Sequence, residues 1–148
     1  MGSINKTRVV LGGLLAGLVM NVGEAVLHGG ILAADSAQLF ARYQLVDQAS
    51  PVALVSLILT TFLLGIAAVW LYAAIRPRYG AGARTALVAG LSVWVMAHVW
   101  AGVYIGMGFM GLVPSKLAFV PVAWGLIEAP LATLVGAWAY REDSPGHR

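Results

Sequence analysis

The sequence predicts an all-α fold: a polytopic membrane protein built as an antiparallel bundle of four transmembrane helices. A short extracytoplasmic amphipathic helix is expected between helices 1 and 2. Three observations predict this. First, the 148 residues are 60% hydrophobic and only 10% charged, whereas a soluble domain carries roughly 25% charged residues. Second, the few charges are placed so that four long stretches remain almost free of them. Val9–Ala34 holds only Glu24 and His28, Gln48–Ile75 holds none, Thr85–Ser115 holds only His98, and Leu117–Tyr140 holds only Glu128. Third, none of these stretches alternates with period two. Each exceeds the ~20 residues needed to cross the hydrocarbon, and lipid offers the backbone no partners, so each must be helical.

One domain, residues 1–148, suits this length. The absence of cysteine removes disulfides, thiolate metal sites and thiol chemistry. The net charge of +3 is scattered at segment ends with no basic run, which argues against nucleic acid as a partner. The partners expected are membrane lipid, further copies of the chain, or the subunits of a larger membrane complex.

Helix 1 is expected over about 6–33. Its start, "MGSINKTR", resembles the basic beginning of a signal peptide, but the apolar stretch runs on to Ala34, so it reads as a retained first span. Lys6 stands where a myristoylation signal needs Ser or Thr. The connector "DSAQLFARYQLVDQ" follows. Asp35 or Ser36 could cap a helix over about 36–47, and Leu39, Phe40, Tyr43 and Val46 share one face, as in a helix lying on a membrane surface. Helix 2, about 51–76, opens with Ser50 as cap and Pro51 in the first turn. After the turn "RPRYGAGAR", helix 3 is expected over about 84–110 and loses regularity at "GMGFMGLVPSK". Helix 4, about 116–140, contains Pro130, which removes a backbone donor and predicts a kink near Glu128.

Orientation follows from Lys and Arg. Lys6, Arg8, Arg76, Arg78, Arg84, Arg141 and Arg148 fall on one side, and only Arg42 and Lys116 on the other. The N- and C-termini are therefore expected in the cytoplasm, with Trp70, Tyr72, Tyr79, Trp138 and Tyr140 as an aromatic belt on the same face. A faint internal repeat aligns "AGLVMNVGEAVLHG" with "AGLSVWVMAHVWAG", as two helical hairpins would.

The ionisable groups inside the spans are the candidate site. A charge at mid-bilayer costs around 3 kcal/mol on insertion scales, so such groups face protein, a partner or water. At about 1.5 Å per residue, Glu24 lies ~24 Å from Arg8, His28 ~30 Å from Arg8, His98 ~21 Å from Arg84 and Glu128 ~20 Å from Arg141. Three of the four are level, and His28 is a turn further out. Their faces agree. Gly13, Gly17, Asn21, Glu24 and His28 make one stripe; Gly90, Trp94, His98, Gly102 and Gly106 a second; Gly125, Glu128, Ala132 and Gly136 a third. Small residues at this spacing let membrane helices approach closely. The glycine faces exceed what one four-helix core needs, which points to a homo-oligomer.

The intramembrane polar cluster is therefore expected to comprise Asn21, Glu24, His28, His98 and Glu128. Trp94, Trp100, Trp124 and Thr60 are candidates to line a pocket beside it. The best functional reading is proton- or cation-coupled transport or ion binding, because a buried carboxylate that exchanges a cation is its minimal requirement. A divalent metal held by Glu24, His28, His98 and Glu128 is the alternative chemistry. Two nitrogens and two carboxylates suit zinc, iron or manganese. Haem between His28 and His98 fits less well, because the ~9 Å difference in height from the helical rise separates the two axial ligands. A non-catalytic accessory or scaffold subunit is the further alternative. Mere interhelical glue, worth about 0.6 kcal/mol per bond, competes with all of these. Ser56 and Ser92 have no histidine at helical spacing, so nucleophilic chemistry has no support, and His147 lies in the polar tail.

"IRPRYGAGARTALVAGL" and "WGLIEAPLATLVGAWAYRE" resemble segments of small bacterial integral membrane proteins with four predicted helices. The resemblance implies the bacterial inner membrane and brings no activity or site residues with it. Small multidrug exporters are similar only in having four helices and a glutamate in the first.

Overall fold

The structure, a computed structural model, describes residues 4–45 and 50–140. Val46, Arg141, His147 and Arg148 lie outside the described residues. Among the described residues the chain forms five helices and no strand: α1 (Lys6–Ile31), α2 (Ala33–Arg42), α3 (Pro51–Tyr79), α4 (Ala83–Gly108) and α5 (Ser115–Ala139). All but α2 are long and apolar enough to cross a membrane.

Local chemistry sets most boundaries. The Asn5 side chain accepts from Arg8 N, and Ser50 Oγ accepts from Ala53 N at 3.1 Å with Pro51 in the first turn. The helix α3 ends at Tyr79, one residue before Gly80, whose φ of 84° is left-handed. The turn that follows is clamped on both sides. Gly82 N donates to Tyr72 Oη at 3.2 Å, and Thr85 Oγ1 donates to Gly80 O at 2.7 Å.

Two expectations need correction here. Neither Asp35 nor Ser36 caps the connector helix. A wide π turn at Leu27–Ile31 ends α1, and helix resumes at Ala33 after the single residue Leu32, which offers no side-chain cap. The aromatic belt also loses two members. Trp70, Tyr79 and Trp138 are exposed, but Tyr72 and Tyr140 belong to the core. They meet edge to face at 6.0 Å, with the Arg76 guanidinium over the Tyr140 ring.

Packing is carried by small residues. A Cβ on Gly12 would stand 2.5 Å from Gly136 O, and one on Gly65 would stand 2.5 Å from Gly13 O. Gly13 lies on Ile66, Gly17 on Phe62, Gly90 on Pro130, Gly102 on Val122 and Gly106 on Phe119. Among described helical glycines, Gly29, Gly30 and Gly108 meet nothing. The surplus of glycine faces is thus largely consumed within one chain.

The buried cluster gathers Val9, Ala16 and Met20 of α1, Ala68, Val69 and Tyr72 of α3, Ala86, Ala89 and Val93 of α4, and Ala129 and Ala132 of α5. These lie towards the end that holds the α3–α4 turn. At the other end α3 is exposed along its first ten residues and has no buried residue before Gly65. Packing is therefore tighter around the α3–α4 turn than at the other end, where Leu27, Leu32 and Ala118 are buried but the start of α3 is exposed, and α2 joins this more open half. There Lys116 Nζ pairs with Asp35 Oδ2 at 2.6 Å, and Tyr43 Oη donates to Leu112 O at 3.1 Å.

Candidate functional site

Where the packed half gives way to the open one, three helices each contribute one ionisable side chain. Glu24 comes from α1, His98 from α4 and Glu128 from α5, and one ligand atom of each lies within 4.8 Å of the others. His98 Nε2 is 3.9 Å from Glu24 Oε1 and 4.0 Å from Glu128 Oε2. It addresses both carboxylates while standing too far from either for a hydrogen bond. Glu128 is buried, at 6% side-chain exposure, and His98 nearly so at 12%. Glu24 is one-third exposed and turns its second oxygen outwards, where His28 Nε2 lies 3.1 Å from Oε2.

Backbone and packing hold these groups in place. A Cβ at Gly23 would strike the Glu128 carboxylate, and one at Gly125 would stand 2.7 Å from His98 Nε2. Only glycine leaves room for the two side chains. Trp124 Nε1 donates to Glu128 Oε1 at 3.1 Å, which occupies that oxygen and leaves Oε2 facing His98. His98 Nδ1 is buried with no hydrogen-bond partner, so the ring is seated by its contact with Gly125.

Both intrahelical histidines sit in π turns, His28 in Leu27–Ile31 and His98 in Val95–Val99. Such turns are frequent at functional sites. The second one also explains a puzzle of spacing. Residues four apart drift about 40° per step around an α-helix, so Gly90, Trp94, His98, Gly102 and Gly106 should spiral off one face. The wide turn absorbs the drift. Gly90, Gly102 and Gly106 all meet α5, Trp94 Nε1 donates to Val122 O at 2.8 Å, and His98 lies on Gly125.

Of the residues singled out in the sequence, Glu24, His98 and Glu128 converge, and His28 joins through Glu24 alone. Asn21 stands apart, with Nδ2 donating to Gly17 O at 2.8 Å and reaching Ile58 O at 3.5 Å. Trp124 touches the group, whereas Trp94 spends its N–H on Val122 O. Trp100 is 66% exposed and stacks on Tyr104, and Thr60 donates to Ser56 O of its own helix. Ser92 likewise donates to Val88 O. Gly23 and the π turns escaped sequence reasoning. Trp124 and Glu128, four apart on one helix, carried a legible signal of their contact.

Chemically, two carboxylates this close repel each other unless one of them is protonated or a positive charge lies between them. An imidazole nitrogen and two carboxylate oxygens facing a common point are donors suited to a cation. No protein-family model, curated protein or solved structure matches this chain. Its function is therefore read from the side chains themselves.

Proposed function

We propose that this is a small inner-membrane protein that binds a cation at Glu24, His98 and Glu128 and couples that binding to transport. The observation that carries the reading is the convergence of three ionisable groups from three separate helices within 4.8 Å, in segments otherwise almost free of charge. Glue between helices needs one donor and one acceptor. A second carboxylate and an imidazole at the same point exceed that need, and two carboxylates can stay ionised there only beside a positive charge.

The packing supports access from one side. Below the group, Met20, Val69 and Val93 are 2%, 0% and 3% exposed. Above it, Leu27 and Leu32 are buried as well, but Glu24 and His28 are 33% and 54% exposed. A cation would reach the group through these two side chains and meet the packed core beneath, as one end state of alternating access requires.

The order of the interhelical contacts supports an antiparallel bundle. Gly13 meets Ile66 while the later Gly17 meets the earlier Phe62, and Gly90 meets Pro130 while Gly106 meets Phe119. Together with the Lys and Arg bias of the sequence, this order supports a topology with the α3–α4 turn in the cytoplasm and α2 on the outer face. A bacterial inner membrane follows from the resemblance noted in the sequence.

Glu→Gln keeps shape and hydrogen bonding while removing the charge. Purified protein in lipid vesicles should take up a cation, read by ion-sensitive and pH-sensitive dyes in the lumen. Glu24→Gln and Glu128→Gln should each abolish uptake while the protein stays folded. Uptake indifferent to glutamine at both positions would sink the proposal and leave glue, worth about 0.6 kcal/mol per bond.

A further inference from the structure

Resting on the cation-binding reading above, we infer that the cation is a divalent transition metal ion, with Glu24, His98 and Glu128 as its ligands and His28 positioning Glu24. The class follows from charge and donor type. Two carboxylates and a neutral imidazole carry a charge of −2, which a divalent ion cancels. A monovalent ion would leave a net negative charge beside a buried glutamate, where desolvation disfavours it. Calcium and magnesium favour all-oxygen shells. An imidazole in the shell instead selects borderline ions such as zinc, manganese or iron.

The geometry agrees. Ligand bonds of about 2.0–2.2 Å put two donors about 3.4 Å apart in a tetrahedral shell and at most about 4.2 Å apart across an ion, so the group would close by about half an ångström on a tetrahedral ion. The separations of 3.9 Å and 4.0 Å from His98 Nε2 to the two carboxylates are distances that one ion bridges and a hydrogen bond does not. Each carboxylate also has its remaining oxygen engaged outside the group: Glu128 Oε1 by the Trp124 indole and Glu24 Oε2 by His28. Such outer partners orient metal ligands. Gly23 and Gly125 give the carboxylate and the ring their space.

The test uses the full chain in detergent, stripped with a chelator and titrated with Zn2+, Mn2+ and Ca2+ by calorimetry. One Zn2+ should bind per chain, with Mn2+ weaker, as the general affinity order of these ions requires, and Ca2+ weaker still. His98→Ala and Glu128→Gln should abolish Zn2+ binding. His98→Gln serves where His98→Ala does not yield folded protein, as judged by helix content and gel filtration. His28→Ala should weaken binding by roughly 10–100-fold with unchanged stoichiometry, the loss expected for an outer partner, and His28→Gln should recover part of it. Ser92→Ala should change nothing. Calcium binding as tightly as zinc, or zinc binding that survives loss of His98, would overturn the inference. So would no zinc bound at millimolar concentration. In that case, continued loss of vesicle cation uptake in Glu24→Gln would keep the transport reading, and indifferent uptake would remove both.

Discussion

At the scale of single residues, Gly65 and Gly29 make a controlled contrast. A Cβ at Gly65 would stand 2.5 Å from Gly13 O and collide with the Gly17 backbone. Backbone cannot swing aside as a side-chain tip can, so the two helices must separate. Overpacking of this kind costs typically 1–3 kcal/mol, and Gly65→Ala should sit at the upper end of that range. Gly29 meets nothing within 4 Å, so Gly29→Ala should be neutral or slightly stabilising, since alanine is favoured over glycine in helices by up to about 1 kcal/mol. Reversible unfolding in mixed detergent micelles measures both. Equal effects would mean that the α1–α3 contact is not what holds the bundle. The same contrast shows why composition misleads about association. Eighteen glycines suggest many sticky faces, but those that meet a neighbouring helix are already used inside the chain.

At the scale of elements, the π turns decide where the histidines point. A π turn is an α-helix with one residue inserted, so removing one residue restores regular helix while both flanks keep their faces. Val99 lies in the turn that carries His98 and follows it directly. Deleting it should leave Gly90, Gly102 and Gly106 against α5 and move the histidine about 60° off their face, away from the carboxylates, because it then stands eight residues after Gly90 and three before Gly102 in a regular helix. Helix content and thermal stability should change little, and Zn2+ binding in the titration described above should be lost. Retained binding in the deletion variant would show that the π turn does not place the ligand. Neither π turn was legible in the sequence, because its cause is tertiary. The spacing of four in "GLSVWVMAHVWAG" reads as a helical stripe, and only the demand that the whole stripe meet α5 forces the helix to widen.

At the scale of the whole molecule, packing is uneven and the Glu24–His98–Glu128 group lies at the boundary. The half containing the α3–α4 turn holds the buried cluster, whereas the first ten residues of α3 are exposed. Topology then determines which compartment the open half faces. The chain has no cysteine, so single cysteines can be introduced without background. Cysteine at Ala81 should react with a membrane-impermeant maleimide only after the membrane is permeabilised. Cysteine at Gly111, in the loop near α2, should react in intact cells. Labelling of Ala81 in intact cells would invert the molecule and reverse the direction of access.

The sequence alone determined that the chain has four helices long and apolar enough to cross a membrane, because hydrocarbon penalises every unpaired backbone group and every stray charge, and both penalties are written in composition. It also singled out the ionisable residues that the fold brings together, since Glu24, His98 and Glu128 stand out against apolar runs and share a depth set by the helical rise. Tertiary structure alone decided which of them meet. The rotation of each helix about its axis depends on where glycine admits a neighbour's backbone, and that turned His98 and Glu128 towards Glu24 while leaving Asn21 on Ile58 O and Trp100 facing outwards. Contacts between helices far apart in sequence set that rotation, and no local pattern records them.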